Sequence, residues 1–194
     1  MITGYSIAQQ ALKGNYTGIP YSQHDCQSFV ELVLKDAGVR KPDGTPYNWK
    51  GSNSMYRNHL SWRGSITECK NRFGKIPVGA LVFIVKHDGG EAERGYHDNL
   101  GNASHVGLYI GASPNPVMDS QPTGGVQLRG LNQFTHIGLL DMISYDVDIG
   151  ISTSTELEAA ALRAIRTIRE DDSGDADCLK ALVTISQYLK EVKQ

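Results

Sequence analysis

The sequence predicts an α+β fold, on three observations. Apolar residues recur at helical spacing through Phe29, Val30, Val33, Leu34 and Ala37. The period then changes to the strand-like runs ALVFIV (80–85) and HVGLYIG (105–111). Two more such runs, PVMDSQ and GVQLRGL, flank the turn Pro122–Gly125, so a helix-rich half precedes an antiparallel β half.

Taken in order, Ser6 to Lys13 reads as a short helix closed by Gly14. Asn15 to His24 is a loop. Asp25 is a good N-cap, which puts Cys26 at the first position of a helix that Gly38 ends. Residues 39–51 are turn-rich. Asn53 to Leu60 and Ile66 to Arg72 read as two further short helices. Residues 86–104 (KHDGGEAERGYHDNLGNAS) form a long polar loop, a length that usually carries function or motion. FTHIGLL (134–140) leads into MISYDV. After Gly150 the composition shifts, and 154–170 and 175–192 read as two amphipathic helices. The DDSGDAD junction between them suits helix capping better than calcium, because it lacks EF-hand spacing.

The 194 residues, 40% of them hydrophobic, suit one domain with a core of its own and an appendage. A net charge of −2 without a basic block argues against nucleic acid as a partner. No apolar run approaches the ~20 residues of a membrane span, and no membrane partner is expected. The N-terminal MITGYSIAQQALKG lacks a basic and an apolar region, so no secretory signal is expected. The three cysteines, Cys26, Cys69 and Cys178, are widely spaced and form no CxxC, which argues against a disulfide framework or structural zinc.

Cys26 is the cysteine with a chemical opportunity. Helix N-terminal N–H groups favour an anion, and a neighbouring imidazole favours a thiolate further. His105 opens a buried strand, with Ser104 before it and Gly107 leaving space near the ring. Asp119 on the next strand is placed to fix the imidazole tautomer. The Cys26 N–H and the Tyr21 hydroxyl are candidate oxyanion donors. On spacing alone, a packed structural thiol is the commoner case for a cysteine near a helix start. Cys69 and Cys178 read as structural, Trp49, Tyr56 and Trp62 as core aromatics, and His97 as a solvated loop residue.

Three segments tilt that balance. PYSQHDCQSFV (20–30) resembles the nucleophile motif of the NlpC family of bacterial cell-wall cysteine peptidases, in which Asp-Cys-Ser-Gly-Phe-Val follows a tyrosine and a short loop. IPVGALVFI (76–84) and SHVGLYIG (104–111) are similar to that family's Pro-Gly-Asp-Leu-Val-Phe and His-Val-Gly-Ile-Tyr-Ile-Gly strands, in the same order. The resemblance spans roughly residues 5–145. It implies a papain-like NlpC-type core, related to CHAP amidases, over 1–150, with a C-terminal α-helical hairpin over 151–194 for capping, self-association or a phage structural partner.

It also implies hydrolysis of an amide in peptidoglycan stem peptides, commonly after D-glutamate, with no metal and no cofactor. Cys26 then takes the nucleophile's place, His105 the base's and Asp119 the third polar residue's. Tyr21 falls at the oxyanion side. Asp25 and Ser104 fall where substrate is held, Asp25 toward the amine of the first alanine. Gln27-Ser28 in place of Ser-Gly, Ala80 in place of Asp, and an unusual third residue are departures from the pattern. Alternatives are a binding module of a phage tail or wall assembly that has lost its chemistry, or a papain-like amidase or acyltransferase with another substrate. With no signal segment, a phage or prophage lysin, released at lysis or carried in a virion, is the expected setting for action at the cell wall.

Overall fold

Thr3 begins the first helix, α1 (Gly4–Lys13). Its hydroxyl accepts the Ser6 N–H while Ser6 Oγ accepts the Thr3 N–H, a reciprocal cap that satisfies two otherwise orphan donors. In the computed structural model, residues 2–112 and 114–145 are described. Cys178 and the helices expected over 154–170 and 175–192 lie outside them.

Asp25 caps α2 (Cys26–Asp36), its Oδ1 accepting the Ser28 N–H at 2.8 Å. The helix stops at a C-cap Ala37 and a left-handed Gly38, φ 77°. Next come α3 (Ser52–Arg57), β1 (Leu60–Ser65) and α4 (Ile66–Phe73), whose Ser65/Glu68 pair forms a second capping box. The remaining elements are β2 (Leu81–Lys86), the single-turn α5 (Gly90–Glu93), β3 (Asn102–Tyr109), β4 (Val117–Gln121), β5 (Gly125–Arg129) and β6 (His136–Leu140).

The strands form one six-stranded sheet in the order β1-β6-β2-β3-β4-β5, with every pair antiparallel. This is an α+β architecture. Strand β2 is buried on both faces, which is why it reads as a continuous apolar run. Leu81, Phe83 and Val85 join a cluster with Ile7, Phe29, Val33 and Met55 of α1 to α3. Val82 belongs to a second cluster with Cys69 and Phe73 of α4 and Ile137.

Two expectations need correction. The helix expected over Asn53–Leu60 ends at Arg57, and Leu60 opens β1 instead. His59, at φ 63°, turns the chain between them. The helix-rich first half therefore also contains a strand, β1, which pairs with β6 at the sheet edge. The long polar loop also carries structure of its own, α5 and a sheet-forming end at Asn102.

The loop before Cys26 is laid against β5. Gly18 N–H donates to Val126 O at 2.8 Å and Val126 N–H to Ile19 O at 2.9 Å. Gly125 permits this approach. Its φ is 62°, and a Cβ there would sit 2.1 Å from Ile19 O. Gly125→Ala is expected to destabilise the protein by about 1–3 kcal/mol, read as a lower urea midpoint. An unchanged midpoint would mean that the loop does not depend on this contact.

Among the described residues no helix is long and apolar enough to cross a membrane.

Candidate active site

The N-terminus of α2 and the strands β3 and β4 meet at Cys26, which is 7% exposed and part of the main core cluster. The His105 ring and the Tyr21 hydroxyl both lie close enough to its side chain for Cys26 to raise their pKa values. His105 Nε2 lies 2.6 Å from Asp119 Oδ2, which leaves Nδ1 as the ring nitrogen for Cys26. Asp119 is 0% exposed.

Strand register explains how these side chains meet. Gly107 pairs with Asp119 across β3 and β4, so His105, two residues before Gly107, is the diagonal neighbour of Asp119 on the same face. Gly107 makes space for the carboxylate strand, not for the ring as expected. A Cβ there would lie 2.8 Å from Val117 Cγ1 and 3.0 Å from Asp119 Cβ.

A second diagonal runs the other way. Val117 pairs with Arg129 and Asp119 with Gln127 across β4 and β5. Arg129 Nη1 thereby reaches Asp119 Oδ1 at 3.0 Å, and its Nη2 donates to Thr123 O at 3.0 Å. Gln121 Nε2 donates to Asp119 Oδ2 at 2.8 Å. The buried carboxylate thus has a full set of partners, as a buried charge requires. Sequence reading missed Arg129 and Gln121. The available signal was strand parity, since Gln121, Arg129 and Asp119 share one face once the Gln121–Gly125 turn register is known.

Ser120, also overlooked, faces the other way and is fully buried. Its Oγ donates to His24 O at 2.6 Å. Adjacent residues of β4 therefore hold both halves of the site, Asp119 the imidazole and Ser120 the backbone leading into Cys26.

Burial opposes a charge on His105, but the Asp119 hydrogen bond and the interaction with Cys26 outweigh it and raise its pKa to about 9. Both interactions favour the charged imidazolium over the neutral ring. Tyr21 is pushed upward by burial first, then by its interaction with Cys26 and the charge of Asp25. Cys69 makes a useful contrast. It is fully buried, and burial alone lifts its thiol to about 11, as expected of a structural cysteine.

Tyr21, Asp25, Cys26 and Ser104 line one cleft of about 190 Å³, together with Gln27, Lys50, Asn53 and Arg94. Beyond Tyr21 lies an open groove walled by Gly18, Pro20, Pro122 and Gly124. Ser104 is exposed, with a long 3.4 Å contact from its Oγ to Ile84 O. Asp25 serves as the helix cap and also borders the cleft.

The loop 86–104 supplies a wall of this cleft through Arg94 and Ser104. It is tied to α3 by Arg57, which pairs with Asp98 at 2.7 Å, holds that carboxyl down to about 2, and stacks over Tyr96 at 4.3 Å. Asn53 and Asn102 bond at 2.8 Å beneath it. His97 is exposed and does not line the cleft. Trp49 and Tyr56 are buried in the core and Trp62 is half-buried against Phe73.

A thiol in contact with a charged imidazole, itself held by a buried carboxylate, can attack a carbonyl and return a proton to the leaving group. Among the described residues no cluster of three or more His, Cys, Asp or Glu side chains is placed to hold a metal ion. Comparison with models of protein families, with curated proteins and with solved structures finds no match for this chain.

Proposed function

We propose that this chain is a cysteine hydrolase of NlpC type, with a papain-like core, that cleaves an amide bond in peptidoglycan stem peptides. The observation that carries the proposal is the continuous chain from Cys26 through His105 to the buried Asp119, with Tyr21 at the thiol. The motif resemblance supplies the substrate class.

In this reading Cys26 Sγ attacks the carbonyl carbon, and the oxyanion takes hydrogen bonds from the Cys26 N–H and the Tyr21 hydroxyl. The His105 imidazolium gives its Nδ1 proton to the departing amine, and the C–N bond breaks to leave a thioester. His105, now neutral, takes a proton from water, which attacks the thioester and frees the acid. Asp119 stays ionised and holds the ring. The products are one carboxylic acid and one amine. D-Glutamyl-diamino-acid endopeptidase activity, in a phage or prophage lysin or a tail-associated peptidase, is the specific form proposed.

The departures around Cys26 favour a second reading, a binding module of a phage tail or wall assembly that keeps the cleft without the chemistry. Alkylation separates the two. Cys26 should react with iodoacetamide at pH 7 much faster in the wild type than in His105→Ala, with the label located by peptide mapping. Equal rates would mean that the imidazole does not activate the thiol, and would favour the binding module.

A further inference from the structure

Gln27, directly after the nucleophile, is a departure from the family pattern, and the structure gives it a task. Its Nε2 donates to Glu31 Oε1 at 2.8 Å and to Trp49 O at 2.7 Å, and its Oε1 accepts the Gly51 N–H at 2.6 Å. Glu31 Oε1 also accepts the Trp49 N–H at 2.6 Å. The backbone on both sides of Lys50 is therefore fastened to the first turns of the helix that Cys26 begins. Trp49 itself is buried and stacks on Tyr47 at 4.6 Å.

Lys50, the residue so braced, lines the cleft and has no hydrogen-bond or ion-pair partner among the described residues. Lys50 is exposed, so its ammonium is open to a ligand entering the cleft. Arg94 lines the same cleft from the 86–104 wall. Its Nη1 donates to Gly90 O at 2.8 Å, and it has no carboxylate partner among the described residues. Asp25, the one acidic residue lining the cleft, has Oδ1 engaged by the Ser28 N–H. The cleft thus offers two uncompensated cations against one carboxylate.

Resting on the hydrolase reading above, we propose that Lys50 and Arg94 form a carboxylate subsite beside Cys26, so that the preferred substrate carries a free carboxylate, not a carboxamide, next to the scissile amide. At an amide made through the side chain of D-glutamate, the α-carboxyl is left free to be that group. A charge-assisted contact of this kind favours a carboxylate over a neutral isostere by a modest factor, because Lys50 and Arg94 are both exposed to solvent.

The test compares two synthetic tripeptides, L-Ala-γ-D-Glu-L-Lys and its α-carboxamide counterpart. With wild type, kcat/KM should favour the carboxylate by up to about tenfold, a difference of up to about 1.4 kcal/mol. The ratio should fall toward one in Lys50→Met/Arg94→Gln, and should shrink at high salt. Equal use of both peptides by wild type, or a ratio that the double variant leaves unchanged, would overturn the subsite. Calorimetric titration of both peptides into Cys26→Ala reads the same preference without chemistry. Selective binding there, with no Cys26-dependent turnover, would uphold the subsite and sink the hydrolase. Cys26-dependent turnover without selectivity would do the reverse.

Discussion

Asp119→Ala should cost the protein about 3–5 kcal/mol of stability and nearly all of its hydrolysis. The carboxylate is 0% exposed and accepts from three side chains, His105, Arg129 and Gln121. Removing it leaves the Arg129 guanidinium, itself only 17% exposed, without its counter-charge. Asp119→Asn separates the two losses. It keeps the shape and one acceptor oxygen but removes the charge, and should lower kcat/KM by about 10²–10⁴-fold with a smaller loss of stability.

The pH profile gives the sign. His105 is raised above its ordinary value, to about 9. Its favourable interactions are fully present below the unfolded value near 6.5 and are lost as pH rises through about 9. Hydrolysis, which needs the imidazolium proton for the leaving amine, should decline along an alkaline limb near pH 9. In Asp119→Asn that limb should move to lower pH. A limb that stays in place would mean that Asp119 does not set the charge on His105.

Cys26→Ala should abolish hydrolysis, by about 10⁴-fold or more, and leave the fold intact. The substitution removes one sulfur from the lining of the cleft, and the Asp25 cap does not involve the thiol. Unfolding midpoints of the variant and wild type should be close. Retained hydrolysis in a well-folded variant would eliminate the thiol mechanism.

Much of this arrangement was legible in the chain. Asp25 capping and the period of Phe29, Val30 and Val33 place Cys26 at a helix start from local chemistry alone. The His105 and Asp119 strands are consecutive and joined by a short connection, so their adjacency follows from chain order. What escaped notice depends on partners distant in sequence. Strand β1 holds Arg63, Gly64 and two serines and has no β-branched residue, so its identity comes from pairing with β6 rather than from propensity. Arg129 is a surface-type residue in sequence, and only the β4–β5 register turns it onto Asp119. The hold of Gln27 and Glu31 on Trp49 and Gly51 spans 18 and 24 residues, with no periodic trace to announce it.

The hydrolase reading is tested most directly by mass spectrometry of purified peptidoglycan and soluble muropeptides digested in parallel with wild type and Cys26→Ala. Wild type alone should release new fragments, each pair differing from its parent by one water, with masses that name the cut as the amide after D-glutamate. No wild-type fragments across several wall types, or the same fragments from both proteins, would contradict a Cys26-dependent wall hydrolase.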